Sequence, residues 1–506
     1  MVNKNHSSKQ FITLTGFKSL LALFFRANSC NSWQKSFHLS QFTKKIIPLQ
    51  KSKYMQQSEV KQYFSRFIGN PKEENRRKEA DFFNEKGIPA KNNEMWRDFS
   101  WEKIINNNYT LQQQADDYQP VETFFNCAIQ NIDSYMFTFL NGWYVHKNIP
   151  LTIFPNGVTI GSLKAAKDIS NPLILPYLHD MEKTTHTGLY HLNGALWQDG
   201  FFIYIPDNVH LDRPIQMANL VKTHQNLFIN TRNLVIVGKN ASLKLIHCDD
   251  TLESKNTLIN GVTEIIVDKN SHFDYFKFEN KENNSVLLNN VQIYQYADTE
   301  VNTNTHTFNG GLVHNTIQCS LLQPHSSINF NGLYMADKNQ NVTNCLRVNH
   351  LASNTTSRQL YNGMIDDAAS ARFVGHIFVA PDAQKTEANQ LNRNILLTDE
   401  SSIITKPFLE IYADDVKCSH GATVGQLDET AIFYLRSRGI CEKNARILLM
   451  HAFAKEIIDK ISISSLIDYT EELARKRLTG ENISCSLCAV CCENKPIDFE
   501  INMPEV

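Results

Sequence analysis

The chain has 506 residues, with 50 Lys and Arg against 52 Asp and Glu and a formal net charge of −2 at pH 7. Charge so nearly balanced leaves no electrostatic footprint for nucleic acid, and the longest wholly apolar run, residues 20–25, falls far below the roughly 20 residues a membrane span needs. The length exceeds that of one ordinary compact domain, so two or three units or one elongated repeat unit are expected.

Residues 1–58 carry nine Lys or Arg and no acidic residue, together with many Ser and Phe. That is the composition of an organelle transit segment, but Met55 followed by QQSEVKQYFSRF also reads as a start in its own right, with the first 54 residues an over-extension. The second reading is preferred. From 57 to about 107 the pattern is helical and charged, with Val60, Tyr63, Phe64 and Phe67 at helical spacing and Pro71 and Pro89 as breaks. A linker rich in Asn and Gln follows to about 120.

From about 137 to 413 the texture changes to short β-branched and aromatic runs punctuated by Asn, Asp, Gly and Ser, and helix-length periodicity is nearly absent. A strand–polar turn–strand unit recurs at 234–246, 264–276, 292–303 and 320–330, at a spacing of roughly 27 to 30 residues that tightens to about half near Asp367, Asp382 and Asp399. A fixed period of this size means stacked units, each covering the apolar face of the last. With short strands and no helices between them, the expected fold is mainly β: a right-handed parallel β-helix flanked by small helical domains.

The stretch 405–440 holds the chemistry. Leu409, Ile411 and Ala413 alternate with Glu410, Tyr412 and Asp414 as in a strand. Asp428 is a good N-cap, Ile432, Phe433 and Leu435 form an apolar face, and Gly439 suits a left-handed C-terminal cap. Cys418 and His420 are two residues apart, so in an extended chain they project to one face and could share a ligand. Two more helices are expected, at about 442–460 with Ile447, Met450, Ala454, Ile457 and Ile461 on one stripe, and from about Ser465 to Gly480. These helices are expected to pack on the end of the solenoid or against another protein.

The segment LEIYADDVKCSHGATVGQLDE, with FYLRSRGI after it, resembles the C-terminal signature of SufD-type members of the SufB/SufD family of iron–sulfur cluster assembly scaffolds. The resemblance extends upstream through AQKTEANQLNRNILLTDESSIITKP and more loosely to about Tyr54. It implies the same β-helix, a non-enzymatic scaffold role, a SufB-like partner subunit and a SufC-like ABC ATPase. It also implies a transient iron–sulfur cluster or iron at the interface with the partner subunit, handled by Cys418 and His420. ATPase docking falls to the helix carrying Asp428, Phe433, Tyr434 and Arg436. The segment TEANQLNRNILL lacks the cysteine that the sister subunit carries there, which favours the SufD type. The implied location is cytoplasmic, or an organelle stroma if residues 1–54 are a transit segment.

No G-x-x-x-x-G-K-S/T sequence occurs, so no nucleotide is expected on this chain. Seven cysteines are scattered singly and read as buried or free thiols of a reducing compartment. The tail CSLCAVCC places Cys485, Cys488 and Cys491 at C-x-x-C-x-x-C spacing, from which thiolates can converge on a metal; a flexible thiol-rich tail is the equal alternative. The expected partition is an extension at 1–54, a helical domain and linker at 55–120, the β-helix at 121–426, C-terminal helices at 427–480 and the Cys-rich tail at 481–506. A carbohydrate-active β-helix enzyme is the alternative function. It would need clustered or paired carboxylates, and Asp366–Asp367 and Asp414–Asp415 are the nearest candidates.

Overall fold

The computed structural model of the chain describes residues 57–90, 92–114, 132–146, 148–169, 174 and 187–480. The extension 1–54, residues 115–120 of the expected linker and the tail with Cys485, Cys488 and Cys491 lie outside the described residues.

Between 227 and 425 strands alternate between two sheets, so that each pairs in parallel with the strands two before and two after it. Leu227, Thr257, Ser285, Leu312, Asn341, Ser370 and Ser402 begin successive strands of the first sheet, 27 to 32 residues apart, and each opens one coil of a parallel β-solenoid. Each coil has two corners. The corners near Asp367, Asp382 and Asp399 follow one another around the last coils, so the apparent halving of the period counts every corner where the earlier spacing counts every second one.

One corner of each coil places a non-glycine residue in the left-handed region: Asn208, Asn240, Asn270, Asp298, His325, Asn354 and Lys385, with φ between 50° and 63°. Asn and Asp tolerate this conformation because their short polar side chains bond locally. Here they also bond between coils, Asn240 Nδ2 donating to Asn208 Oδ1 at 2.9 Å and Asn270 Nδ2 to Asn240 Oδ1 at 2.8 Å. The same geometry that turns the chain therefore locks one coil onto the next.

Alternate side chains fill the lumen or cover the outside. Leu243, Leu245, Phe273, Val301, Ile328, Phe330 and Tyr361 belong to the luminal core. Luminal glycines admit the large rings: a Cβ at Gly332 would lie 2.1 Å from the Tyr361 ring. Midway along the lumen sits a charged group in which Lys277 donates to Asp249 and stands 3.0 Å from His247 Nε2, while Glu279 accepts from Thr307 and Asn315 at 2.7 and 2.9 Å. Burial alone would raise the Asp249 carboxyl, but the Lys277 cation beside it holds it well below the usual range.

The two ends of the solenoid differ. At the N-terminal end the short strands Thr159–Ser162 and Leu151–Ile153 turn antiparallel and close the first sheet, and Trp143–Tyr144 folds back on Tyr135–Leu140 to close the second. At the C-terminal end Ser402–Ile411 and Val416–Gly425 have a strand neighbour on one side only.

Helices cover both outer faces. The N-terminal helices Gln57–Ile68 and Glu74–Lys86 pack directly on the solenoid: Val60, Phe64, Phe83, Trp96 and Trp101 share a core with Phe228, Leu258, Val286 and Leu312 of the first sheet. Glu94 and Asp98 then bind Arg372, and Lys406 of the last coil also reaches Glu94 at 2.6 Å. The helix Gly188–Leu196 lies within the region read as helix-free. It is buried on every side, so its sequence shows no amphipathic period.

The C-terminal helices Glu442–Ile458 and Ser464–Thr479 do not sit on the end of the solenoid. They lie along the outer face of the second sheet, because Ile246, Phe276, Phe278, Phe308, Leu333 and Met335 make that face apolar. The stripe Ile447, Met450, Ala454, Ile457 and Ile461 is spent on this contact.

Buried histidines lie where the covers meet the solenoid. His314 stacks on Trp96 with centroids 3.7 Å apart and His306 stacks on Phe278, and neither ring nitrogen of either residue has a partner. Burial pushes both imidazoles down to about 3 from 6.5. A depressed histidine stabilises the fold above its unfolded pKa and loses that contribution as pH falls, because the unfolded chain takes up the proton first. Denaturation at pH 7, 6 and 5 is thus expected to show stability falling by up to about 1.4 kcal/mol per pH unit per buried histidine below pH 6.5. His314→Phe should flatten the slope; an unchanged slope would mean that His314 is already protonated in the fold.

Candidate functional site

Cys418 and His420 stand on Val416–Gly425, the last strand of the second sheet. The extended run read from Leu409 does not continue through them. Ser402–Ile411 ends, a corner at 412–415 reverses the chain, and a new strand begins at Val416. Both residues are nevertheless on one face, as the two-residue spacing requires.

That face is the lumen. Cys418 pairs in register with Ala388 and His420 with Gln390, and these pair in turn with the luminal positions Ser357 and Gln359, four and two residues ahead of the core residue Tyr361. Because no coil lies beyond, the pair stands at the open mouth of the solenoid. His420 is exposed and Cys418 half-buried.

Cys418 packs against the small apolar plug of Ile377, Val379, Ala383, Ala388 and Ala413. Burial pushes its thiol up, and a backbone hydrogen bond with Ala388 only partly opposes this. A cation or metal arriving at the mouth would favour the thiolate. The corner carboxylates do not orient His420: Asp415 is engaged through its backbone with Gln384 and Lys385, and Asp414 is exposed. Lys417 makes a surface pair with Glu387 at 3.0 Å. Among the described residues no three His, Cys, Asp or Glu side chains gather to hold a metal. The mouth offers two donors, which is an incomplete set for iron.

Around the mouth the last coil leaves Ile404, Phe408, Ile411, Tyr412 and Val424 exposed. On the outer face Glu410 accepts from Tyr412 at 2.9 Å and lies 3.0 Å from His376 Nε2. Sequence reading missed this cluster, and it missed Gln390 and Gln359, whose significance comes only from the register that stacks them under His420. Asp366–Asp367 and Asp414–Asp415 sit at corners, where Asp367 and Asp415 line separate shallow surface pockets.

The second group lies on the helix Glu429–Ser437. Asp428 caps it, accepting from Thr430 N and Ala431 N at 2.8 and 3.3 Å. Ile432 turns inward, but Phe433 and Tyr434 are 73% and 56% exposed. Arg438 stacks on the Tyr434 ring at 5.1 Å, and Arg436 pairs with Glu442 at 3.2 Å on the surface. Such an exposed pair is worth little and is easily exchanged. The structure thus places Cys418 and His420 at the mouth, and Asp428, Phe433, Tyr434 and Arg436 at the first helix beyond it.

Residues 220–453 match the family model described as SUF system FeS cluster assembly, SufBD core domain, and residues 58–217 match the SufBD protein N-terminal region. An iron–sulfur cluster assembly SufBD family protein of Synechocystis sp. is 28% identical over 401 residues, covering 76% of this chain and 87% of that protein. The iron–sulfur cluster assembly protein SufD of Escherichia coli is 27% identical over 399 residues, covering 78% and 90%. A SufBD family protein of Staphylococcus saprophyticus is 24% identical over 325 residues, covering 64% and 70%. Between them the two family models take in the N-terminal helical cover, the whole run of coils up to the mouth that carries Cys418 and His420, and the helix Glu429–Ser437 beyond it, and the chain accordingly belongs to the SufB/SufD family of iron–sulfur cluster assembly proteins.

Proposed function

We propose that this chain is the SufD-like, non-enzymatic subunit of a SufBCD-type complex. Its last coil pairs with a SufB-like subunit, and a nascent iron–sulfur cluster or its iron is handled between the two. The observation that carries this reading is the open mouth. Two strands with unpaired edges, a ring of exposed apolar side chains and two metal-binding donors coincide at one end of the solenoid. Exposed strand edges invite pairing with another chain, and an incomplete ligand set invites completion by that chain. Iron and sulfide are here cargo, received and passed on.

The helix Glu429–Ser437 is the docking element for a SufC-like ATPase, with Phe433 and Tyr434 as the apolar contact and Arg436 released from Glu442 to a partner carboxylate. Energy from ATP enters through that partner, and no nucleotide binds this chain. Work in a reducing compartment such as the cytoplasm suits the thiol at Cys418. The Cys485–Cys488–Cys491 spacing supports a second, separate metal contact in the tail.

In the purified three-protein complex, His420→Ala is expected to keep the melting temperature and partner binding near wild type. Cluster yield from ferrous iron and sulfide should fall strongly, and Cys418→Ala should have the same or a smaller effect. A purely structural His420 predicts the reverse order, with a stability loss of about 1 to 3 kcal/mol and assembly failing only as the complex dissociates. Normal yield with His420→Ala would remove this residue from the site.

For the docking helix, Phe433→Asp and Tyr434→Asp should each release the ATPase in a pull-down while circular dichroism stays unchanged, since neither side chain supports the solenoid. Full co-purification of the ATPase with the double variant would sink the assignment.

A further inference from the structure

We infer that Gln390 is a positioning residue for His420, and that Gln359 backs it, so that an amide relay in the lumen orients the imidazole for iron. The inference rests on the reading of His420 as an iron ligand. In register, His420 pairs with Gln390, Gln390 with Gln359, Gln359 with Phe330, Phe330 with Thr303 and Thr303 with Tyr275. The column is largely apolar and aromatic through the middle of the solenoid and turns to carboxamide only in the two coils directly beneath the imidazole.

Both glutamines are 1% exposed, and in both the amide nitrogen and the amide oxygen lack a hydrogen-bond partner. A buried amide left unpaired is disfavoured, and an apolar residue such as the Phe330 of the coil below would fill the place without that cost. The surroundings are also shaped for the amide. Across the lumen stands Gly375, where a Cβ would lie 2.3 Å from Gln390 Nε2. On the next coil Gly375 is followed in register by Pro407.

Neighbouring strands stand about 4.8 Å apart, so a small rotation brings the Gln390 amide within hydrogen-bond reach of the ring above it. An imidazole that gives one nitrogen to iron carries its proton on the other, and that N–H needs an acceptor to hold the ring in one tautomer and one orientation. Gln390 Oε1 is that acceptor. Its Nε2 then donates down the column to Gln359 Oε1. His420 itself makes no hydrogen bond among the described residues, so the two unfilled needs meet at one position.

The test uses the full chain in complex with its SufB-like and SufC-like partners, titrated anaerobically with ferrous iron. Gln390→Met keeps the length of the side chain and removes its acceptor, and Gln390→Glu keeps an acceptor oxygen. Gln390→Met is expected to weaken iron binding about tenfold, the usual consequence of losing an outer-shell partner, while the melting temperature holds or rises. Gln390→Glu should bind within about twofold of wild type. Nitrogen NMR of the histidine-labelled chain should show the His420 tautomer ratio moving in Gln390→Met, which a packing role would leave in place. Wild-type iron affinity in Gln390→Met alongside a loss in His420→Ala would overturn the positioning role alone. Equal losses in both Gln390 variants with a lowered melting temperature would assign Gln390 to packing. Undiminished iron binding in His420→Ala would overturn the ligand reading, and the relay with it.

Discussion

Each coil between 227 and 425 finds its backbone partners on the coil above and the coil below, residue against residue, through most of the molecule. This register is the constraint from which the rest follows. Buried backbone N–H and C=O groups must be paired, and in a stacked coil only the neighbouring coils can pair them. The period of the chain, the left-handed corner residues and the alternation of inner and outer side chains all serve that pairing. It also makes the lumen a set of columns, in which position in one coil dictates the neighbour in the next. A pair of donors at the mouth is consequently never isolated: whatever stands at the same register one coil down is its floor.

The columns are not uniform. The middle of the lumen accommodates Lys277, Asp249 and Glu279 because each charge meets a partner, and an ion pair broken there would leave an uncompensated buried charge. Near the mouth the amides of Gln359 and Gln390 lack partners, while Asn392 and Asn394 beside them are bonded.

Much of the architecture could be read from the residues. Asn240, Asn270 and Asp298 signal the corners because left-handed turns select their side chains, and the regular spacing between them is a direct image of the coil. Cys418 and His420 were legible from their spacing and from the family resemblance, and the cap at Asp428 from local chemistry alone. Other features were hidden for definite reasons. Gly188–Leu196 is buried all round and so lacks the one-sided pattern that betrays a helix. The C-terminal helices show an apolar stripe, but nothing in that stripe says whether it meets the end of the solenoid, its flank or another protein. The answer lies in Phe276, Phe308 and Leu333, nearly 200 residues away for some contacts. The break at 412–415 escaped notice because alternation continues across it. Gln390 reads as an ordinary polar residue until the register sets it inside, beneath His420.

The difference between the two ends has a consequence for how many chains can join. A stack of strands open at both ends could add copies indefinitely, in the manner of a fibre. Here the other end is made of short antiparallel strands, Leu151–Ile153 and Trp143–Tyr144, so the long parallel strand edges that could template a further coil stand at the mouth. If edge pairing is how the proposed partner binds, the difference in strand length between the two ends favours a single joint per chain over a growing stack.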